Sequence, residues 1–166
     1  MGCCSVILKK IVIVTYDDSY LAYIGKVISK TDLKINKNSN FTNYTNKYKN
    51  ILYTFLSNKD KWTWIHHYSG SCGTIIIYEG EGLENNITDL ENIMKSKILQ
   101  KKPLLLIFDK KKISKKKIEY FEKLRYYLAS ENIRFLIQFI DFNSNYSHSE
   151  ILYGLEWLYD EINYIK

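Results

Sequence analysis

The chain has 166 residues, of which 46% are hydrophobic, 25% charged and 15% aromatic, a balance that buries one ordinary core and excludes a disordered chain. One Pro and seven Gly exclude collagen-like, mucin-like and linker-like chains. Lys and Arg number 24 against 18 Asp and Glu, and the net +6 favours anionic partners such as phospholipid headgroups, acidic proteins or nucleic acid without choosing among them.

The chain opens with Met1-Gly2-Cys3-Cys4-Ser5-Val6-Ile7-Leu8-Lys9-Lys10, which lacks the charged start, long apolar stretch and small-residue cleavage site of a secretory signal. Loss of Met1 would expose the Gly2 amine to myristoylation, and the Cys3 and Cys4 thiols could then carry palmitate. The usual motif has Ser or Thr in the sixth position, where this chain has Val6. A buried methylene contributes ~0.8 kcal/mol, so one acyl chain holds marginally and a second makes attachment stable. The third cysteine, Cys72, completes neither a disulfide framework nor a zinc spacing, which fits a reducing compartment. Residues 1–9 are therefore expected to be an acylated anchor on the cytoplasmic face of a membrane, and 10–166 one folded domain.

Ile11–Val14 is a β-branched run, apolar on both faces as in a central parallel strand, and a helix from Ser19 to Ser29 follows it. Residues 31–50 are polar and rich in Asn and Lys, with an edge strand at Phe41–Tyr48. Strands are predicted at Ile51–Leu56, Gly73–Tyr78, Pro103–Phe108 and Ile133–Ile140, and helices at 83–100, 115–130 and Glu150–Tyr164. The apolar Pro103–Phe108 run, closed by Lys101-Lys102 and Asp109-Lys110, falls short of the roughly 18 to 20 residues that span a bilayer. Repeated strand–helix alternation predicts an α/β fold, a doubly wound and mostly parallel six-stranded sheet with helices on both faces. Such sheets bind ligands beyond the carboxyl ends of their strands, here the turns after Val14, Leu56, Phe108 and Ile140.

His67-Tyr68-Ser69-Gly70-Ser71-Cys72-Gly73-Thr74-Ile75-Ile76-Ile77-Tyr78 is similar to the segment H-Y-Y-x-x-x-x-G-x-I-F-V-V-D of the Arf and Arf-like small GTPases, with Trp64 where that family also has tryptophan. Tyr48-Lys49-Asn50-Ile51 resembles the family's Y-K-N-I, and Pro103–Phe108 the strand before the guanine-specificity loop. Ile137-Gln138 followed by Leu152-Tyr153-Gly154-Leu155-Glu156-Trp157-Leu158 resembles the closing I-Q and L-Y-E-G-L-D-W-L. The likeness covers essentially the whole chain after residue 9. It implies a small-GTPase fold, GTP or GDP with Mg²⁺ as cofactor, protein partners of Arf-like type, and a monomer at a membrane in vesicle trafficking.

The nucleotide motifs that this resemblance implies are missing. A P-loop uses glycines so that backbone N–H groups wrap the phosphates, a Lys to neutralise charge and a Ser or Thr to hold Mg²⁺. Aligned with G-L-D-x-x-G-K-T, this chain puts Thr15 and Tyr20 at the glycines, Leu21 at the lysine and Ala22 at the metal-binding hydroxyl, and only Asp17 matches. Asp17 and Asp18 at a helix start suit a cap and repel a triphosphate. In switch I, Asn38 takes the place of the metal-binding threonine, and Ser57 that of the Asp in D-x-G-G-Q, whose Gly and Gln have no counterpart. Lys110-Lys111-Lys112-Ile113 falls on N-K-x-D, with Lys111 inside it; shifted by one, Asp109–Lys112 still ends without the specificity carboxylate. Phe142 stands in the base-contacting loop and is expected to fill part of the guanine pocket.

These losses predict a degenerate Arf-like protein with no catalytic residue, metal site or cofactor, acting as a membrane-anchored binding protein. The alternative is a divergent but working Arf-like GTPase. Lys110–Lys112 with Lys115–Lys117 offers a patch for acidic lipid or an acidic partner, or a merely solvated loop. Nucleic acid is not expected, because the aromatics fall at core spacing rather than on a stacking platform. His66 and His67 point apart as neighbours and have no third ligand at metal spacing. Trp62 and Trp64 are the candidate partner surface, with core packing the competing role for Trp64.

Overall fold

The computed structural model describes residues 8–15, 17–30, 41–46, 49–56, 66–78, 101–113 and 118–164. Gly2, Cys3, Cys4, Asn38, Ser57, Trp62, Trp64, Lys115–Lys117 and the helix expected at 83–100 lie outside them.

β1 (Lys9–Thr15) runs through the middle of the molecule, which is why Ile11–Val14 carries no polar residue. Alternation sends Ile11 and Ile13 to one face and Val12 and Val14 to the other, all four fully buried. Each contributes roughly 1.5 to 3 kcal/mol by leaving water. α1 (Asp18–Ser29) follows, and β2 (Phe41–Asn46) and β3 (Ile51–Leu56) form an antiparallel pair. β4 (Gly73–Tyr78), β5 (Leu104–Asp109), α2 (Ile118–Ser130), β6 (Phe135–Ile140) and α3 (Ser147–Tyr164) complete the described elements. The sheet order is β2-β3-β1-β4-β5-β6, with only β2 antiparallel.

α1 and α3 cover one face of the sheet, burying Leu21, Ile24, Leu155 and Leu158 over Ile11, Ile13, Ile75 and Leu105. α2 covers the other with Phe121, Leu124 and Leu128, beside Tyr68 from the helical residues 66–68. Phe121 meets Phe108 edge-on at 4.7 Å and Phe139 at 4.9 Å. α3 lies close on the sheet because two glycines face it or belong to it. A Cβ on Gly73 would come within 2.9 Å of Ile162, and one on Gly154 would collide with Gln138.

β5 extends one residue past its predicted end to Asp109, which pairs in register with Ile140. β6 starts at Phe135 because Ile133 and Arg134 belong to the turn from α2, where the Ile133 N–H reaches the Leu128 carbonyl at 3.0 Å. The edge strand β2 stops at Asn46, whose side chain accepts from the Lys49 N–H at 3.1 Å and starts the turn to β3. α3 begins at Ser147, a turn earlier than predicted. Its hydroxyl donates to the Ser144 carbonyl at 2.7 Å, and the Ser144 hydroxyl accepts from the Tyr146 N–H at 3.0 Å.

Candidate functional site

The carboxyl ends of the parallel strands put the turns after β1, β5 and β6 at one end of the sheet, where the chain crosses to either side of β1. Only residues 16 and 17 separate Thr15, the end of β1, from Asp18, the start of α1. Thr15 is fully buried and its Oγ1 accepts the Asp17 N–H at 3.2 Å. Asp17 is extended and caps α1: its carboxylate accepts the Ser19 N–H at 2.8 Å, and its carbonyl the Tyr20 N–H at 3.2 Å. A helix N-terminus attracts anions through its free amides and dipole, and here a carboxylate of the chain itself takes that place.

Helical periodicity then sorts the next side chains. Tyr20, Leu21, Ile24, Val27 and Ile28 form the buried face of α1, so Leu21 sits wholly in the core, while Ala22 faces solvent. Tyr20 bridges two distant turns. Its hydroxyl donates to Asp109 Oδ2 at 2.6 Å, and both residues are only 6% exposed. The second carboxylate oxygen, Oδ1, accepts the Lys111 N–H at 3.0 Å, starting a short 3-10 turn over Lys110–Lys112. A buried carboxylate needs such donors to offset lost hydration, and two N–H or O–H groups supply them here.

The turn after β6 closes over the same spot. Phe142 meets the Tyr20 ring edge-on at 4.6 Å and the Tyr23 ring at 5.6 Å. Asp141 Oδ1 pairs with Lys111 Nζ at 3.2 Å and accepts the Asn143 N–H at 3.0 Å. Lys112 Nζ stands 5.4 Å from the centre of the Tyr20 ring, and the Tyr23 and Ser147 hydroxyls share a hydrogen bond of 2.5 Å. Of the sequence-predicted residues, Thr15, Asp17, Lys111 and Phe142 thus share one end of the sheet, Leu21 lies beneath in the core, and Ala22 points away. Sequence reasoning missed the roles of Tyr20, Tyr23, Asp109 and Asp141. Asp109 had a signal, since a carboxylate ending an otherwise apolar strand must find donors; the Tyr20 hydroxyl, 89 residues away, had none.

The opposite end, where the parallel strands begin, is basic. Lys9 and Lys10 open β1, Lys49 precedes β3, and Lys101 and Lys102 precede β5. Burial lowers the Lys10 amine. Burial, then Lys10 and His66, lowers the His67 imidazole. Lys102 is lowered by burial and by Lys10 against an opposing pull from Cys72, and it donates to the Tyr68 carbonyl at 2.9 Å. A cleft of about 440 Å³ lies at this end between Lys9, Lys49 and the last turns of α3. Beside it the Tyr159 hydroxyl is hydrogen-bonded to that of Tyr53, burial raises the Tyr159 phenol, and Lys49 Nζ stands 3.9 Å from the ring centre. Among the described residues no three His, Cys, Asp or Glu cluster as metal ligands, and no helix is long and apolar enough to cross a membrane.

Compared with protein families and with curated proteins, the sequence finds no match. Solved structures do match. The Arl6 (BBS3) small GTPase from Trypanosoma brucei, with the bound nucleotide analogue GppNp, aligns over 95% of this chain and 99% of its own at a TM-score of 0.66 and 12% identity. The ADP-ribosylation-factor-like GTP-binding protein, or small COPII coat GTPase Sar1, from Encephalitozoon cuniculi in complex with GDP aligns over 94% of this chain and 80% of its own, at 0.56 and 12%. The chain has the small-GTPase fold. Within that fold its neighbours are Arf-like and Sar1 proteins, and the identity carries the architecture alone. The small-GTPase architecture accounts for the convergence of Asp17, Asp109 and Phe142, which come from the end of β5 and the turns after β1 and β6 at one end of the sheet.

Proposed function

We propose that this protein is an Arf-like pseudo-GTPase, held in one conformation, that binds protein partners at a membrane and neither binds nor hydrolyses GTP. The observation that carries this reading is the Tyr20–Asp109 hydrogen bond across a two-residue β1–α1 turn. A triphosphate cradle needs open backbone amides, a lysine and a metal-binding hydroxyl. At this turn stand the Asp17 carboxylate, a Leu21 sunk in the core and an Ala22 without a hydroxyl. Asp109, the carboxylate nearest the specificity position, already accepts from Tyr20 and Lys111, and Phe142 packs edge-on against the Tyr20 ring. The residues present therefore do not fit a guanine nucleotide with Mg²⁺. Each charge-assisted contact forgone is worth about 1.5 to 3 kcal/mol, and several are forgone together. Thermal unfolding of the purified protein with and without GTP and Mg²⁺ tests this. No shift is expected; a Mg²⁺-dependent rise would favour a divergent but working GTPase.

The membrane half of the proposal rests on Gly2, Cys3 and Cys4, with support from the basic end of the sheet. The chain enters β1 at Lys9 from that end, so an acyl anchor would bring Lys9, Lys10, Lys49 and Lys102 near an anionic leaflet, at about 1 kcal/mol for each lysine that reaches it. Cell fractionation of a Cys3→Ser, Cys4→Ser variant should move the protein from the membrane pellet to the supernatant. An unchanged distribution would refute acyl anchoring.

A further inference from the structure

We infer that the exposed face of α3 is a docking surface for a basic amphipathic helix of another protein. The inference stands on α3 alone, whatever the β1–α1 turn binds. The core face of the helix is Ile151, Gly154, Leu155, Leu158 and Ile162. Away from it, Tyr146, Tyr153, Trp157 and Tyr164 follow one another at steps of seven, four and seven residues. At 3.6 residues per turn the last two steps return to nearly the same angle, so Tyr153, Trp157 and Tyr164 lie in one stripe within an arc of about 40°, and Tyr146 stands one residue before the helix. Tyr146 is 75% exposed, Tyr153 63% and Tyr164 85%, and Trp157 packs partly against the core edge. The stripe looks outward on the β6 side of α3, where Glu161 pairs with Arg134 at 2.7 Å and Gln138 donates to the Glu150 carbonyl at 2.9 Å. An aromatic side chain buries roughly 150 to 250 Å² when covered, so this is an unusually large apolar offering for a solvated helix.

Charge selects the occupant. α3 holds Glu150, Glu156, Asp160 and Glu161 and no Lys or Arg, in a chain whose net charge is +6. Of the four, Glu161 alone has an ion pair among the described residues, while Glu156 and Asp160 border the cleft that Lys9 and Lys49 also line without pairing with them. A second copy of this chain fits the aromatics but not the charges. Antiparallel pairing about a two-fold axis sets Tyr146 against Tyr164 and Tyr153 against Trp157, and it also sets Glu150 against Asp160. Parallel pairing sets every carboxylate beside its own copy. An anionic leaflet or nucleic acid is repelled by the same carboxylates. A helix with an apolar stripe flanked by Lys or Arg satisfies both features. It can lie along the 18 residues of α3, about 27 Å, inserting apolar side chains between the tyrosines.

The test titrates the full-length protein by calorimetry with an 18-residue peptide carrying Leu at heptad a and d positions and Lys elsewhere. The control peptide has Glu in place of every Lys. The lysine peptide is expected to bind at least roughly tenfold more tightly than the glutamate peptide, and Tyr153→Ser with Tyr164→Ser to weaken it by a similar factor. Both tyrosines are exposed, so the variant keeps its fold, and Tyr126→Ser on α2, exposed at 79%, should leave binding unchanged. Glu156→Lys with Asp160→Lys should reverse the preference between the peptides. Equal binding of the two peptides, or wild-type affinity in the Tyr153→Ser, Tyr164→Ser variant, overturns the inference. So does sedimentation showing a dimer that Tyr153→Ser dissociates, which would assign the face to a second copy.

Discussion

Replacing Tyr20 by Phe removes one oxygen and isolates the bond that spans the candidate site. The ring keeps its edge contact with Phe142 at 4.6 Å and its place under Lys112, so packing is retained. Asp109 keeps the Lys111 N–H on Oδ1 and loses the donor on Oδ2, in surroundings where it is 6% exposed. A hydrogen bond to a charged acceptor is worth about 1.5 to 3 kcal/mol, and an orphaned buried acceptor costs at least as much. In a chain of this length 1 kcal/mol corresponds to about 2 to 4 °C, so Tm should fall by about 3 to 12 °C. Urea titration should show the midpoint falling at constant slope. Asp109→Asn keeps an acceptor for the Lys111 N–H and turns its amide N–H toward the Tyr20 oxygen, which can accept, and should cost less. The double variant should reveal a coupling of about 1 kcal/mol or more, since the two side chains share one bond. A Tyr20→Phe protein within about 0.5 kcal/mol of wild type, or strict additivity in the cycle, would refute the claim that this bond holds the turns together.

Phe142→Ala removes two edge-on ring contacts and should destabilise by about 2 kcal/mol in urea, yet titration with a fluorescent GDP should stay flat because the other obstacles remain. Gly154→Ala should destabilise by about 1 to 2 kcal/mol despite better helix propensity, because its methyl meets the Gln138 amide and lies 3.1 Å from Leu105; adding Gln138→Ala should recover most of the loss. His67 has an imidazole pKa below its ordinary 6.5, so the unfolded chain takes up the proton first. Its contribution to stability is therefore present above pH 6.5 and is lost as pH falls below that value, and His67→Gln should flatten the acid limb of Tm against pH. An unchanged acid limb in that variant would disprove the assignment.

Period-two and period-3.6 patterns carried most of the fold. Ile51–Leu56 and Gly73–Tyr78 match their predicted bounds because each is an apolar run cut off by turn residues. Errors fell where side chains override local preference: Asp109 extends β5 because Tyr20 and Lys111 satisfy it, and Ser144 and Ser147 start α3 in a stretch that looks like loop. Asp17 caps α1 as its place before a helical pattern predicts. The site itself was legible only as a set of missing residues. What stands there instead depends on contacts across 89 residues for Tyr20 and Asp109 and 124 for Tyr23 and Ser147, which no local pattern encodes.

Absence of guanine nucleotide from the β1–α1 turn is what separates the proposed pseudo-GTPase from a working switch. Its most direct test is to denature protein purified without added nucleotide and to quantify the released guanine nucleotides by ion-exchange chromatography. None is expected above the level of a mock purification. GDP or GTP released in amounts matching the protein, mole for mole, would contradict it.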